Sequence, residues 1–123
     1  MPGLRVLVVD DEIAIADTLV QILTVDGFTA SGAYSGEDAI RCAREDHFDV
    51  VLMDVMMPGM SGIEAWEQIS KIHPECRIIL VSGNMATEQL LWDAIDRGIN
   101  FEVFVKPVHP RVIIERLNRL SVD

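Results

Sequence analysis

Five short apolar runs recur along this chain, and each is followed by a segment whose apolar residues return at helical spacing. The runs are Leu4 to Val9, a weaker Phe28 to Ala33, Val50 to Met53, Arg77 to Val81 and Phe101 to Val105. Between them, Ile15, Ala16, Leu19, Ile22 and Leu23 mark one helix that closes at Gly27. Ser35-Gly-Glu-Asp opens a second, with an N-cap hydroxyl and acids where the helix dipole favours them. Gly62 begins a third that carries Ile63, Trp66 and Ile69, and a fourth places Leu90, Leu91, Ala94 and Ile95 on one face before Gly98. After Pro107 and Pro110 a fifth carries Val112, Ile113, Leu117 and Leu120. Strands that are apolar without alternation are buried on both faces, so the pattern predicts an α/β fold: a doubly wound, five-stranded parallel sheet with helices on both sides. Crossovers should be right-handed, and the flavodoxin-like order 2-1-3-4-5 is the natural candidate for five such units.

Size and composition narrow the function classes. A chain of 123 residues fits one domain, and half its residues are hydrophobic, enough for a real core. No apolar run is long enough to span a membrane, and the N-terminus MPGLRVLVVDDE lacks the features of a secretory signal. Cys42 and Cys76 do not form a C-x-x-C pair and read as reduced thiols of a cytoplasmic protein. A net charge of −10 argues against direct binding of nucleic acid. His47, His73 and His109 lie in different segments without ligand spacing and read as surface or satisfied histidines.

In open parallel sheets, ligands bind beyond the carboxyl ends of the strands. Asp10, Asp11 and Glu12 follow the first run, Asp54 the third, Ser82 the fourth, and Lys106 and Pro107 the fifth. If the strands are neighbours, three carboxylates, a hydroxyl and an ammonium converge on one edge. Carboxylates about 4 Å apart repel by roughly 4 kcal/mol per pair at an effective dielectric near 20, so such a cluster calls for a cation. All-oxygen ligation with room for water suits Mg²⁺, with Mn²⁺ as a substitute. A carboxylate beside that ion can attack a phosphoryl group and become an acyl phosphate, while lysine and serine hold the transferring oxygens. Asp54, alone at its strand end, is the candidate nucleophile.

Four segments, VLVVDDE, VVLMDVMMPGMSG, ILVSGN and FVKP, carry a family resemblance. In this order they resemble the signature segments of the receiver domain of two-component response regulators, of the chemotaxis-receiver kind. The resemblance spans essentially the whole chain, and it implies a single receiver domain over 1–123 with no output domain. It implies Asp54 as phosphoacceptor and Asp10 and Asp11 as Mg²⁺ ligands together with Asp54 and the backbone carbonyl of Met56. It implies Ser82 on a phosphoryl oxygen, Lys106 paired with phosphate or with Asp54, and a cis Lys106–Pro107 bond. The implied partners are a sensor histidine kinase or phosphotransfer protein, an unspecified effector, and a second copy in a phosphorylation-dependent dimer. Such a module is a switch, with no turnover of a separate substrate.

The sequence also departs from the family. Val103 stands where an aromatic residue is usual, with Phe101 and Phe104 nearby. A strand alternates faces, so Phe104 takes that place only through a register shift or bulge. Met56 and Asn84 occupy positions that tune the lifetime of the phosphoryl group in the family, and Met56 offers no side chain to position an attacking water. The same Met56 argues against a phosphatase with an Asp nucleophile, which would carry a second acid there. The acids after the first strand argue against a flavodoxin-type phosphate cradle. A degenerate receiver that binds partners unphosphorylated has only Val103 in its favour. Trp66 shares the core face of its helix. Trp92 falls off its helix's stripe, either at the edge of the core or as an exposed anchor.

Overall fold

The computed structural model describes residues 3–83, 88–98 and 101–122. Strands and helices alternate as β1 (Arg5–Val9), α1 (Ile13–Val25), β2 (Thr29–Ala33), α2 (Gly36–Glu45), β3 (Val50–Asp54), α3 (Gly62–Ile72), β4 (Arg77–Ser82), α4 (Glu88–Asp96), β5 (Glu102–Val105) and α5 (Pro110–Val122). All neighbouring strands pair in parallel, in the order β2-β1-β3-β4-β5. This is the predicted flavodoxin-like topology. The order reverses between β1 and β3, which opens a crevice at their carboxyl ends.

The period-2 alternation of the strands divides the core in two. Val6 and Val8 of β1, Val50 and Leu52 of β3 and Ile79 of β4 pack with Ala16 and Leu23 of α1 and Ile113 and Leu117 of α5. Leu7, Val9, Val51, Met53, Ile78 and Leu80 face the other way, towards Ala39 and Ile40 of α2, Ile63 and Trp66 of α3 and Ala94 of α4. Every residue of β3 is buried, as a central strand with helices on both faces requires.

Local chemistry sets the helix starts. The Ser35 hydroxyl accepts from the Asp38 N–H at 3.0 Å, and Pro110 opens α5, where its missing N–H costs nothing. Ser61 and Glu64 form a reciprocal capping box at the start of α3, with hydrogen bonds of 3.2 and 3.3 Å. Gly62, the first residue of α3, answers a steric demand: a Cβ there would stand 2.3 Å from the carbonyl oxygen of Asp54. That close approach folds the loop after β3 back under the strand end.

Some expectations shift. Ile15, Ile95 and Val112, read as core by their spacing, are 44%, 53% and 45% exposed, because each sits at the margin of its helix's apolar stripe. The side chain of Leu90 and all of Asn84 lie outside the described residues. Trp66 is buried as expected, whereas Trp92 is 56% exposed, so the exposed alternative holds. The β4–β5 ladder runs without a bulge, pairing Leu80 with Val103 and Val81 with Phe104. Val103 therefore packs with Phe101 on the α4 side, and Phe104 packs on the α1 and α5 side, unable to take the aromatic place.

Candidate functional site

Each site side chain stands where a strand ends, and backbone hydrogen bonds fix those ends relative to one another. The ladder extends past the apolar runs, so Asp54 and Ser82 are the last residues of β3 and β4. The Val55 N–H donates to the Val81 carbonyl at 3.0 Å, and the Lys106 N–H donates to the Ser82 carbonyl at 2.9 Å. The Asp10 N–H donates to the Ala33 carbonyl at 3.1 Å. The Lys106–Pro107 peptide bond is cis, as expected.

The side chains converge as the sequence suggested. Carboxylate oxygens of Asp10, Asp11 and Asp54 all lie within 4.8 Å of one another. Asp10 and Asp54 are buried and Asp11 is exposed. The Lys106 ammonium donates to Asp54 Oδ2 at 2.9 Å and stands 3.8 Å from Asp10 Oδ2. The other oxygen of Asp54 accepts from the Met56 N–H at 3.3 Å, which turns the loop back over the carboxylate. Asp10 Oδ1 accepts from the Glu12 N–H at 2.9 Å. Ser82 is buried at the same edge.

The electrostatics describe a site short of positive charge. Burial pushes the Asp10 carboxyl above its usual range, and the neighbouring Asp54 and Asp11 add to the rise against the lowering effect of the Glu12 N–H and Lys106. Burial works against the charge of Lys106, but its hydrogen bond to Asp54 and the field of Asp54, Asp10 and Glu12 outweigh it and raise its pKa. One ammonium thus serves two buried carboxylates, with a third at the rim. An all-oxygen donor set of this kind, open to solvent through Asp11, fits a hard divalent cation such as Mg²⁺.

A cleft of ≈ 460 Å³ adjoins the carboxylates, running between α1 and α5 and walled by Ile15, Leu19, Val108 and Ile113. Ile15 is exposed because it borders this opening. The cysteines play no part here: Cys42 and Cys76 are both free thiols, and burial pushes Cys76 up to about 12.

One grouping escaped the sequence reading. His47 and His73, 26 positions apart in the chain, meet at the opposite end of the sheet with ring centroids 5.2 Å apart and planes at 90°. Glu75 joins them. No spacing signal marks the trio, because its members lie in two loops that only the packing of α2 against α3 brings together.

Residues 6–118 match the family described as the response regulator receiver domain. The chain is 38% identical over 120 residues to a chemotaxis protein CheY of Thermotoga maritima, covering 97% of this chain and 98% of that protein. It is 42% identical over 81 residues to the response regulator GacA of Pseudomonas viridiflava, a match covering 64% of this chain and only 38% of that regulator's length. Among solved structures, a CheY-like response regulator receiver domain protein from Methanospirillum hungatei superposes with a TM-score of 0.85 at 28% identity, covering 98% of this chain and 94% of that one.

Proposed function

The chain belongs to the response regulator receiver domain family, and on that premise we propose that it accepts a phosphoryl group on Asp54 from a histidine kinase or phosphotransfer protein. The observation that carries the reading is the Lys106 ammonium, 2.9 Å from Asp54 and 3.8 Å from Asp10, beside three carboxylates whose oxygens lie within 4.8 Å of one another. Asp10, Asp11 and Asp54, with the backbone carbonyl of Met56, would hold Mg²⁺, or Mn²⁺ in its place. That ion supplies the positive charge that three carboxylates and an incoming phosphoryl group lack.

This chain's own residues do the rest. A carboxylate oxygen of Asp54 attacks the phosphorus, forming an Asp54 O–P bond as the P–N bond to the donor histidine breaks. The electron pair returns to the imidazole, which takes up a proton from solvent. Lys106, already hydrogen-bonded to Asp54, holds a phosphoryl oxygen as charge moves onto it, and the Ser82 hydroxyl donates to another. Met56 places no acid or amide beside the acyl phosphate, so no side chain at that position orients a hydrolytic water, which favours slower self-hydrolysis. The product is a modified Asp54, so the chain is a switch and not a turnover enzyme.

The phosphoryl group shifts the balance between two conformations only by contacting them unequally. Ser82 lies two residues beyond Leu80, whose ladder partner Val103 packs with Phe101 against the α4 side of the core. Movement of Ser82 towards a phosphoryl oxygen is passed through that pair to α4 without an aromatic switch. Trp92 and Ile95 on α4 and Val105 on β5, which are 56%, 53% and 73% exposed, then present the altered face to a partner. We read residues 1–123 as one receiver unit of a cytoplasmic two-component pathway. No helix among the described residues is long and apolar enough to cross a membrane.

Intact-mass spectrometry after incubation with acetyl phosphate, with and without Mg²⁺, tests the proposal. One phosphoryl adduct that requires the metal is expected. A folded chain that takes up no phosphoryl group from acetyl phosphate or from a phosphorylated histidine donor would move the account to a receiver that works unphosphorylated.

A further inference from the structure

At the amino-terminal edge of the sheet, the loop before β3 and the loop before β4 bring two imidazoles and a carboxylate together. One ring nitrogen of His47, one of His73 and a carboxylate oxygen of Glu75 all lie within 4.8 Å of one another. His47 and Glu75 are exposed and His73 is half-buried, so the group is open to solvent. Its chemistry differs from that of the carboxylate cluster at the other edge: two nitrogens and one oxygen, where the phosphoacceptor site offers oxygen alone.

The His73 ring is held by backbone carbonyls. Its Nε2 lies 2.6 Å from the Ala43 carbonyl oxygen and 3.2 Å from that of Asp46. Carbonyl oxygens only accept, so Nε2 carries the proton, and in the neutral ring Nδ1 holds the free lone pair. A histidine whose second nitrogen donates to a backbone carbonyl has its tautomer and ring angle set for coordination. His47 is not held in this way: its Nε2 lies 3.8 Å from Asp49 Oδ1, beyond hydrogen-bond distance, so its ring is free to turn towards an ion. The Asp49 carboxylate is itself held by the Arg5 N–H at 2.8 Å.

We propose that His47, His73 and Glu75 form a second metal site, selective for a borderline divalent transition ion such as Zn²⁺ over Mg²⁺. Imidazole nitrogens suit Zn²⁺, Cu²⁺ and Ni²⁺, whereas Mg²⁺ demands oxygen. Three protein ligands plus water complete a tetrahedral shell. Bonds of about 2.1 Å bring ligand atoms to about 3.4 Å from one another, a closure that rotation of the exposed His47 and Glu75 side chains supplies. The bound ion ties the α2–β3 loop to the α3–β4 loop at the edge opposite Asp54.

Isothermal titration of the full chain with Zn²⁺, in excess Mg²⁺ so that the carboxylate cluster is occupied, tests this directly. The wild type, His47→Ala, His73→Gln and Asp10→Asn are compared. Glutamine at 73 retains a donor for the Ala43 carbonyl while removing the ligating nitrogen, and circular dichroism confirms that each variant is folded. The expected result is one Zn²⁺ per chain, bound at least tenfold more weakly by His47→Ala and by His73→Gln and unchanged in Asp10→Asn. Visible absorption of the Co²⁺-substituted chain should show tetrahedral ligation that both histidine variants lose. Equal Zn²⁺ affinity in wild type and both histidine variants, no binding at all, or binding lost only in Asp10→Asn would each overturn the proposal.

Discussion

The two ends of the β-sheet gather polar side chains by different means. At the carboxyl edge, Asp10, Asp54, Ser82 and Lys106 are buried or half-buried, and each is fixed by the strand that ends in it or the residue just before it. At the amino edge, His47, His73 and Glu75 sit in loops, and helix packing brings them together. The first arrangement is rigid and holds like charges close, at a cost in stability without a cation. The second is loose, with two of its three residues exposed, and costs the fold little. A site built to receive a charged group is strained until that group arrives, whereas a site of two imidazoles and one carboxylate on open loops is not.

The largest expected effect lies at the rigid edge. Asp54→Ala should abolish uptake of the phosphoryl group from acetyl phosphate, read by intact mass, because no other carboxylate there shares the Lys106 ammonium at hydrogen-bond distance. Lys106→Ala should slow phosphorylation by about a hundredfold, the usual loss when one group that stabilises the transition-state charge is removed. A stopped-flow or quench time course with acetyl phosphate measures it. An unchanged rate would mean that the lysine only balances charge in the resting state.

Next comes the backbone beneath Asp54. Gly62→Ala puts a Cβ 2.3 Å from the Asp54 carbonyl oxygen, so the strand end or the α3 N-terminus must shift. A loss of about 1–3 kcal/mol in urea unfolding is expected, as for other over-packed sites. A smaller effect follows from Asp10. Its folded-state pKa lies above 3.8, so the native chain binds more protons than the unfolded chain between that value and the raised one. Without metal, stability should therefore fall as pH rises through that window and stay lowered above it. Asp10→Asn removes the like charge and keeps an acceptor for the Glu12 N–H. In chelator at neutral pH it should raise Tm, and it should flatten the acid-side pH profile. A lower Tm would show that Lys106 already balances both carboxylates.

The smallest effect belongs to the loose edge. His47→Ala in chelator should change stability by less than about 0.5 kcal/mol, as for surface sites in general. The same variant should lose the rise in Tm that Zn²⁺ gives the wild type. A marked loss of stability without metal would make the histidine pair a structural contact and remove the contrast between the two edges.

The contrast also explains what the sequence reveals. Asp10, Asp54, Ser82 and Lys106 are legible because an apolar run ends within a residue of each, and a parallel sheet carries all such ends to one edge. The absence of a bulge or register shift before Phe104 is seen only in the regular β4–β5 ladder, but that Phe104 and Val103 face opposite ways was legible from strand alternation. Helix margins were not: Ile15, Ile95 and Val112 have the right spacing, yet whether a residue at the border of a stripe is covered depends on its neighbouring helix. The histidine group was least legible, because the path of the loops and the packing of α2 on α3 place His73 beside Ala43, 30 residues away.

On the proposed reading the buried Asp54, and neither of the carboxylates within 4.8 Å of it, becomes phosphorylated. Borohydride reduction of the chain after treatment with acetyl phosphate and Mg²⁺ converts an aspartyl phosphate to homoserine, and peptide sequencing by mass spectrometry locates it. Reduction at position 54 alone is expected. Reduction at position 10 or 11 would contradict it, and so would a phosphorylated chain with no reduced residue at any aspartate.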